Sequence, residues 1–233
     1  MKLTIIIPVY NEINSIDILL KKVLETDVQK QIIVVDDYSL DGTREKIIKN
    51  FKNKIDNLIL HKYNQGKGAA IRSAQQYVNG DFVLIQDADL EYDPSQYKIF
   101  VEEVFKNNHK VLYGSRVLKK KKFESVQNFS HRARIWGNYI LTSISNIINK
   151  QNLTDAHTCY KMIDAKIFKS IKLEENGFAF CPELNTKISN LGIEIKEIPI
   201  SYQGRTYKEG KKIKAIDGLE AIKVLIKYKF FKK

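Results

Sequence analysis

The sequence predicts an α/β fold with a mostly parallel central sheet and helices on both faces. Three observations predict it. Short β-branched apolar runs alternate with segments of helical periodicity through the first half. Polar clusters follow directly behind several of the predicted strands. The 233 residues fit one large domain, or one domain with a small extension.

In chain order, "LTIIIPV" (3–9) is a β-branched run of the kind buried on both faces of a sheet. "SIDILLKKVLE" follows with helical spacing and Ser15 as its N-cap. "QIIVVDD" is the next strand and "DGTREKIIKNF" the next helix. "NLILHKY" and "GKGAAIRSAQQYV" repeat the alternation, and "DFVLI" closes the fourth strand. "SQYKIFVEEVF" reads as a helix and "KVLYGSR" as a strand. The second half is less regular. "ARIWGNYILTSISNIIN" is a long helix. Another lies in "GFAFCPELNTKISNLG", starting near Pro182 and ended by Gly192. "IEIKEIPISY" alternates as a strand does. The last segment puts Leu219, Ile222, Leu225 and Ile226 on one helical face among lysines. Residues 1–213 are thus expected to form the main domain, and 214–233 a basic amphipathic helix and tail.

Composition narrows the partners. Lysine and arginine outnumber aspartate and glutamate by 39 to 27, a net charge of +12, which attracts polyanions, nucleotides or an anionic membrane face. Cys159 and Cys181 form no C-x-x-C pair, so zinc and dithiol chemistry are not indicated. No apolar stretch reaches the roughly 18–20 residues a bilayer span needs, and the N-terminal run is too short for a signal peptide. The expected location is cytoplasmic, soluble or peripheral to a membrane face.

Against this basic background, "DADLEYDP" (87–94) packs Asp87, Asp89, Glu91 and Asp93 behind the strand "FVLI". In an open parallel sheet, ligands bind at the carboxyl ends of the strands. Two further clusters belong there: Pro8, Tyr10, Asn11 and Glu12 after the first strand, and Asp36, Asp37, Ser39 and Asp41 after the second. Crowded carboxylates need a counter-charge, and oxygen ligands suit Mg²⁺ or Mn²⁺. On an extended segment Asp87 and Asp89 would point the same way and hold a metal–diphosphate. The alternative is a solvated acidic turn capped by Asp93 or Ser95. Asp41 has its own reading as a cap for the helix that follows. "NQGKGAA" lacks P-loop spacing, so Gly66 and Gly68 are read as a tight strand-to-helix turn. Lys67 there is read either as a phosphate contact or as an exposed first-turn lysine.

"IIIPVYNE", "VVDDYSLDGT", "NQGKGAAIRSA", "DADLEYDP" and "YGSR", in this order and phase, resemble the family-2 inverting glycosyltransferases. The similarity is to the dolichol-phosphate mannose synthase type in its catalytic-domain-only form. It continues through "LTDAHTCYKM", "ENGFAFCPELNTKI" and "EIPISYQGRTYKEGKKI". The resemblance implies the GT-A type nucleotide-diphospho-sugar transferase fold, with a Rossmann-like sheet. It assigns Pro8, Tyr10, Glu12, Asp37, Asp87 and Lys211 to the donor nucleotide, with Asp37 accepting a base N–H. It gives Asp87, Asp89 and Glu91 to Mg²⁺ or Mn²⁺. Arg205 and Lys211 are expected to close over the diphosphate. Arg116, with Arg132 or Arg134, is expected to meet an acceptor phosphate. The catalytic set is then Asp89, Arg116 and Arg205.

The implied reaction moves a sugar from GDP-mannose or a UDP-hexose to a lipid phosphate such as polyprenyl or dolichyl phosphate. A membrane-protein partner fits a chain of this type, and nucleic acid is not an expected partner. Two alternatives remain at this level. One is a transferase with a hydroxyl acceptor, for which Asp155 or Glu183 could supply the base. The other is a non-catalytic protein that binds a sugar nucleotide or nucleic acid.

Overall fold

The computed structural model describes residues 1–118, 129–205 and 215–232, with side chains described for 1–118, 136–205 and 218–232. Seven strands form one sheet: β1 (Leu3–Val9), β2 (Lys30–Asp36), β3 (Asn57–Leu60), β4 (Phe82–Ile85), β5 (Val111–Ser115), β6 (Lys161–Asp164) and β7 (Lys196–Pro199). Their order is β3-β2-β1-β4-β6-β5-β7. Strands β1 to β4 are mutually parallel; β6 runs antiparallel to both β4 and β5, and β7 is parallel to β5. Every residue of β1 is buried, as a strand covered on both faces requires.

The helices are α1 (Ile16–Glu25), α2 (Thr43–Phe51), α3 (Lys67–Gln75), α4 (Tyr97–Asn107), α5 (Phe129–Asn149), α6 (Ala165–Ser170), α7 (Phe180–Asn190) and α8 (Ala215–Ile226). A single π-helical turn, Lys227–Phe231, extends α8. The chain reverses its direction of strand addition between β1 and β4. That is where an open α/β sheet leaves a crevice at its carboxyl ends.

Pro8 sits inside β1, and the register explains why a central strand tolerates it. The β1–β4 ladder ends at Ile6, whose carbonyl accepts the last N–H, from Gln86. Two residues on, Pro8 faces the same way, and no ladder bond is asked of its nitrogen.

Four features depart from the sequence reading. Strand β6 and helix α6 have no counterpart in it. Lys161 opens β6 fully buried, its Nζ donating to the Ala156 carbonyl at 2.9 Å and lying 3.7 Å from the Tyr113 ring centroid. A lysine at an inward position hides the strand's apolar pattern. The buried stripe of α8 and its extension is Ala221, Val224, Leu225 and Tyr228, while Leu219 and Ile226 are exposed. The spacing i, i+3, i+4, i+7 is helical, but the stripe is rotated from the expected one because Ala221 and Tyr228 supply its ends. Finally, Asp87 and Asp89 do not lie on an extended segment. The strand ends at Ile85, and Ala88 and Asp89 form a turn followed by Leu90 at φ +62°.

Candidate active site

The β1 and β2 ends build a rigid frame. Glu12 is nearly buried; its Oε2 accepts the Ser15 hydroxyl at 2.8 Å and an Arg205 guanidinium N–H at 2.8 Å. Ser15 precedes α1, yet its side chain serves Glu12 rather than the helix terminus. Tyr10 is half-buried just past β1. Asp41 accepts the N–H groups of Thr43 and Ile13, so it ties the start of α2 to the loop after β1. Asp36 is fully buried. Its Oδ2 pairs with Arg44 at 2.6 Å, and its Oδ1 has no hydrogen-bond partner among the described residues.

Asp37 differs from the role expected of it. Oδ1 accepts from His61 Nδ1 at 2.7 Å and from the Gln65 N–H at 2.9 Å. Oδ2 accepts from Asn64 Nδ2 at 3.0 Å and from the Gly66 N–H at 2.7 Å. A carboxylate has about four acceptor positions. All four are filled from within the chain, so Asp37 anchors the 64–66 loop and has none left for a base N–H. Nothing in the sequence marks His61 and Asn64 as its partners except their place behind the neighbouring strand.

Gly66 and Gly68 make the turn expected of them, for a reason only the fold supplies. Gly66 has φ +95°, and a Cβ there would stand 2.5 Å from the Asn176 carbonyl oxygen. A Cβ on Gly68 would stand 2.2 Å from the Glu175 carbonyl oxygen. The glycines let α3 start against the 175–177 backbone. Lys67 is not the exposed first-turn lysine of the second reading. Its Nζ is paired with Asp87, lies 3.3 Å from Cys159 Sγ and sits over the Phe180 ring. Cys159 and Cys181 are both free and buried.

The β4 end is electrically different. Asp87 is neutralised by Lys67. Asp89 accepts the Glu91 N–H at 3.1 Å. Burial, together with the neighbouring Asp87 and Glu91 carboxylates, pushes the Asp89 carboxyl up to about 7. The turn therefore carries more negative charge than the local cations balance, and a hard divalent cation with oxygen preference fits Asp89 and Asp87. Glu91 is directed elsewhere. Its Oε2 accepts the Tyr202 hydroxyl at 2.6 Å and its Oε1 the Arg205 N–H at 2.6 Å. Among the described residues no three His, Cys, Asp or Glu side chains converge as a ready-made metal cage. A site of one or two carboxylates completed by phosphate oxygens is the usual Mg²⁺ arrangement. Asp93 caps the turn before α4 by accepting the Ser95 N–H.

On the far side of β6 from β4, Arg116 follows β5 and lies against Asp155. Its Nε donates to Asp155 Oδ2 at 2.6 Å and its Nη2 to Oδ1 at 2.7 Å. The Arg116 backbone N–H and Asn138 Nδ2 fill the remaining positions. Burial alone would raise the Asp155 carboxyl, but the guanidinium outweighs it and holds the group down to about 2. Asp155 is thus an anchor for Arg116 and has no proton-accepting capacity near neutral pH. Glu183, the other base considered, is fully buried. It accepts the N–H groups of Glu174 and Glu175 at 2.7 and 2.9 Å and pairs with Lys187. It orders the loop against which α3 starts.

Pro8, Tyr10, Glu12, Asp87, Asp89 and Arg205 therefore gather at the strand ends, with Arg116 joined to them through Tyr202. Lys211 lies outside the described residues, as do the side chains of Arg132 and Arg134 and the lysine run 119–122. Tyr202, which touches both Glu91 and Arg116, was not singled out by sequence. It is one of twelve tyrosines and carries no local signature.

The chain is similar to several characterised proteins. It is 26% identical over 217 residues to a dolichyl-phosphate beta-glucosyltransferase of Trichomonas vaginalis, covering 83% of this chain and 65% of that protein's length. It is 25% identical over 228 residues to the undecaprenyl-phosphate mannosyltransferase of Micrococcus luteus, covering 96% of this chain and 93% of the other. Among solved structures, glucosyl-3-phosphoglycerate synthase from Mycobacterium tuberculosis, crystallised with Mn²⁺, UDP and phosphoglyceric acid, superposes with a TM-score of 0.68 at 13% identity. That match covers 97% of this chain and 77% of that one. S. aureus TarS, crystallised with UDP-GlcNAc, gives 0.61 at 19% identity over 99% of this chain and 68% of that one. These likenesses establish the GT-A-like fold. The model of the glycosyl transferase family 2 matches residues 4–172, well over half of the sequence, and the chain belongs to that family.

Proposed function

We propose that this glycosyltransferase moves a sugar from GDP-mannose or a UDP-hexose to a lipid phosphate of the polyprenyl or dolichyl type, inverting the anomeric carbon. One observation carries the reading: the fold consumes both carboxylates that the sequence offered as a base for a hydroxyl acceptor. Asp155 is locked by Arg116, and Glu183 by the 174–175 backbone. A hydroxyl acceptor needs a general base within hydrogen-bonding reach. A phosphate monoester does not, because its second pKa is near roughly 6 and it is largely dianionic at neutral pH. It needs a positioned cation, and Arg116 is one. The names of the two curated relatives agree with this acceptor.

In this reading the β1 and β2 ends seat the nucleotide, with Tyr10 offering a face to the base. Asp87 and Asp89 face the diphosphate. A divalent cation bound there, Mg²⁺ or Mn²⁺, would stabilise the charge that builds on the departing diphosphate. Arg205 and Lys211 add positive charge on the same side. Arg116, held by Asp155, orients the acceptor phosphate for attack on the anomeric carbon from the opposite face. The transition state is oxocarbenium-like, as in glycoside hydrolysis.

Such an acceptor calls for a membrane surface, taken in this reading as the cytoplasmic face, and a membrane-protein partner is compatible with it. No helix among the described residues is long and apolar enough to cross a membrane. The 214–233 segment offers exposed Leu219, Phe230 and Phe231 beside lysines, a composition suited to an anionic surface. Its opposite face is packed, with Tyr228 fully buried.

The test is transfer by purified protein with Mn²⁺ and GDP-mannose or UDP-glucose. Undecaprenyl phosphate and the corresponding free alcohol are offered in parallel, with products read by mass spectrometry. Transfer to the phosphate and not to the alcohol is expected. Transfer only to hydroxyl acceptors would overturn the reading.

A further inference from the structure

Tyr202 stands between the acidic turn after β4 and Arg116 after β5. Its hydroxyl donates to Glu91 Oε2 at 2.6 Å. The Arg116 guanidinium carbon lies 5.1 Å from its ring centroid, within cation–π range. Behind it the ring meets Tyr92, centroids 5.1 Å apart, and Tyr92 stacks on Tyr160 at 4.8 Å. The Tyr160 hydroxyl in turn donates to Gln86 Oε1 at 2.6 Å, just past β4. A row of tyrosines thus runs from the end of β4 to Tyr202 and packs against its ring.

The backbone around Tyr202 is fixed as well. Gln96 accepts the Ser201 N–H and donates to the Ser201 carbonyl, and the Gln203 N–H donates to the Glu91 carbonyl at 3.0 Å. Gly204 lets the chain fold over the ring: a Cβ there would stand 2.9 Å from Tyr202 Cε1.

We propose that Tyr202 is a positioning residue that holds the acceptor-side cation and the acidic turn in fixed relation to one another. The proposal rests on the reading of Arg116 and the Asp87–Asp89 turn given above. Its ring packs near Arg116 and its hydroxyl donates to Glu91. Asp155 holds Arg116 through two N–H groups, and the Tyr202 ring lies within cation–π range of the same guanidinium, so the group has a second partner besides its carboxylate. The hydroxyl, with the Arg205 N–H, occupies both oxygens of Glu91. It keeps that carboxylate turned from Asp89, so the turn presents two carboxylates rather than three to a cation.

Two variants separate the parts, and neither readout needs an acceptor. Tyr202→Phe keeps the ring and frees Glu91 Oε2. Titration with Mn²⁺ alone is expected to show affinity raised about fivefold, since added ligand charge tightens such sites. The Arg116 Nε–H resonance is assigned by its loss in Arg116→Lys. Tyr202→Leu removes the ring, and the Arg116 resonance is expected to move as the ring current is lost. Tyr202→Met replaces it should the leucine variant not fold. Unchanged Mn²⁺ affinity in Tyr202→Phe, or an unmoved Arg116 signal once the ring is gone, overturns the proposal. Failure to glycosylate any lipid phosphate would instead sink the acceptor reading and leave both of these measurements in force.

Discussion

At the end of β2, Asp37 meets four donors supplied by the chain itself; at the end of β4, two strands away, Asp89 shares a turn with Asp87 and Glu91, and burial with these two carboxylates pushes its carboxyl up to about 7. The residue type is the same and the position in the sheet is equivalent. What differs is the supply of partners. Behind β2 the strand β3 ends close by and delivers His61, Asn64, Gln65 and Gly66, so the carboxylate becomes part of the frame. Behind β4 the local cation is Lys67, and Asp87 takes it. A carboxylate saturated from within shapes a site, and one left under-neutralised is available to a ligand. Asp155 belongs with Asp37: it spends its charge on aiming Arg116.

Four perturbations sharpen or break this comparison. The largest effect is expected from Asp89→Ala. Transfer should fall about a thousandfold, the order seen when one stabilising group at a developing charge is removed. The stabilisation by UDP or GDP that depends on Mn²⁺ should vanish in a thermal-shift assay against EDTA, with the unliganded melt no lower than the parent's. A metal-dependent shift that survives would place the cation elsewhere.

Next comes Arg116→Met, which leaves Asp155 buried without its counter-charge. A loss of about 3 kcal/mol in urea unfolding at pH 7 is expected. The pH dependence should change with it. Asp155 sits at about 2 in the fold against an ordinary value of 3.8. The pair therefore stabilises the fold above about pH 4, and its contribution is lost as pH falls toward 2. Without the guanidinium, acid unfolding should begin at a higher pH; an unchanged acid limb would mean that Asp155 has another partner.

Asp37→Asn exchanges one oxygen for a donor and sets it against two donors. A cost of about 2 kcal/mol is expected, visible as a lower urea midpoint with the slope unchanged. Were nucleotide affinity lost with stability intact, Asp37 would be a ligand contact after all and the contrast with Asp89 would collapse. The smallest effect belongs to Tyr228→Phe, whose hydroxyl donates to Glu174 and Glu175 at 3.0 and 2.8 Å. About 1 kcal/mol should be lost, because this contact fastens the C-terminal segment to the loop that α3 starts against.

The parallel strands were legible because burial on both faces leaves an uninterrupted β-branched run, as in "LTIIIPV". The acidic turn was legible because four carboxylates in seven residues stand out in a basic chain. The antiparallel β6 was hidden by Lys161, since a buried lysine breaks the pattern that marks a strand, and its partners lie on β5 and α7. The C-terminal stripe was rotated because Leu219 is more apolar than Ala221, yet Ala221 is the residue the packing buries. Asp37 and Glu183 were legible as important carboxylates, but not as saturated ones.

The sequence by itself determined the α/β class, through local periodicity, and it carried the family in the order and phase of its motifs. It also put Glu12, Asp87 and Asp89 behind strands, and the fixed handedness of strand–helix–strand units brings such strand ends together whatever lies between. Only the tertiary structure decided what each charged group is free to do. Whether Lys67 meets a phosphate or Asp87, whether Asp155 takes a proton or aims Arg116, and whether Glu91 faces a cation or Tyr202 depend on partners as many as 114 residues away. Charge balance in a low-dielectric interior is set by neighbours in space, and composition along the chain carries no record of them.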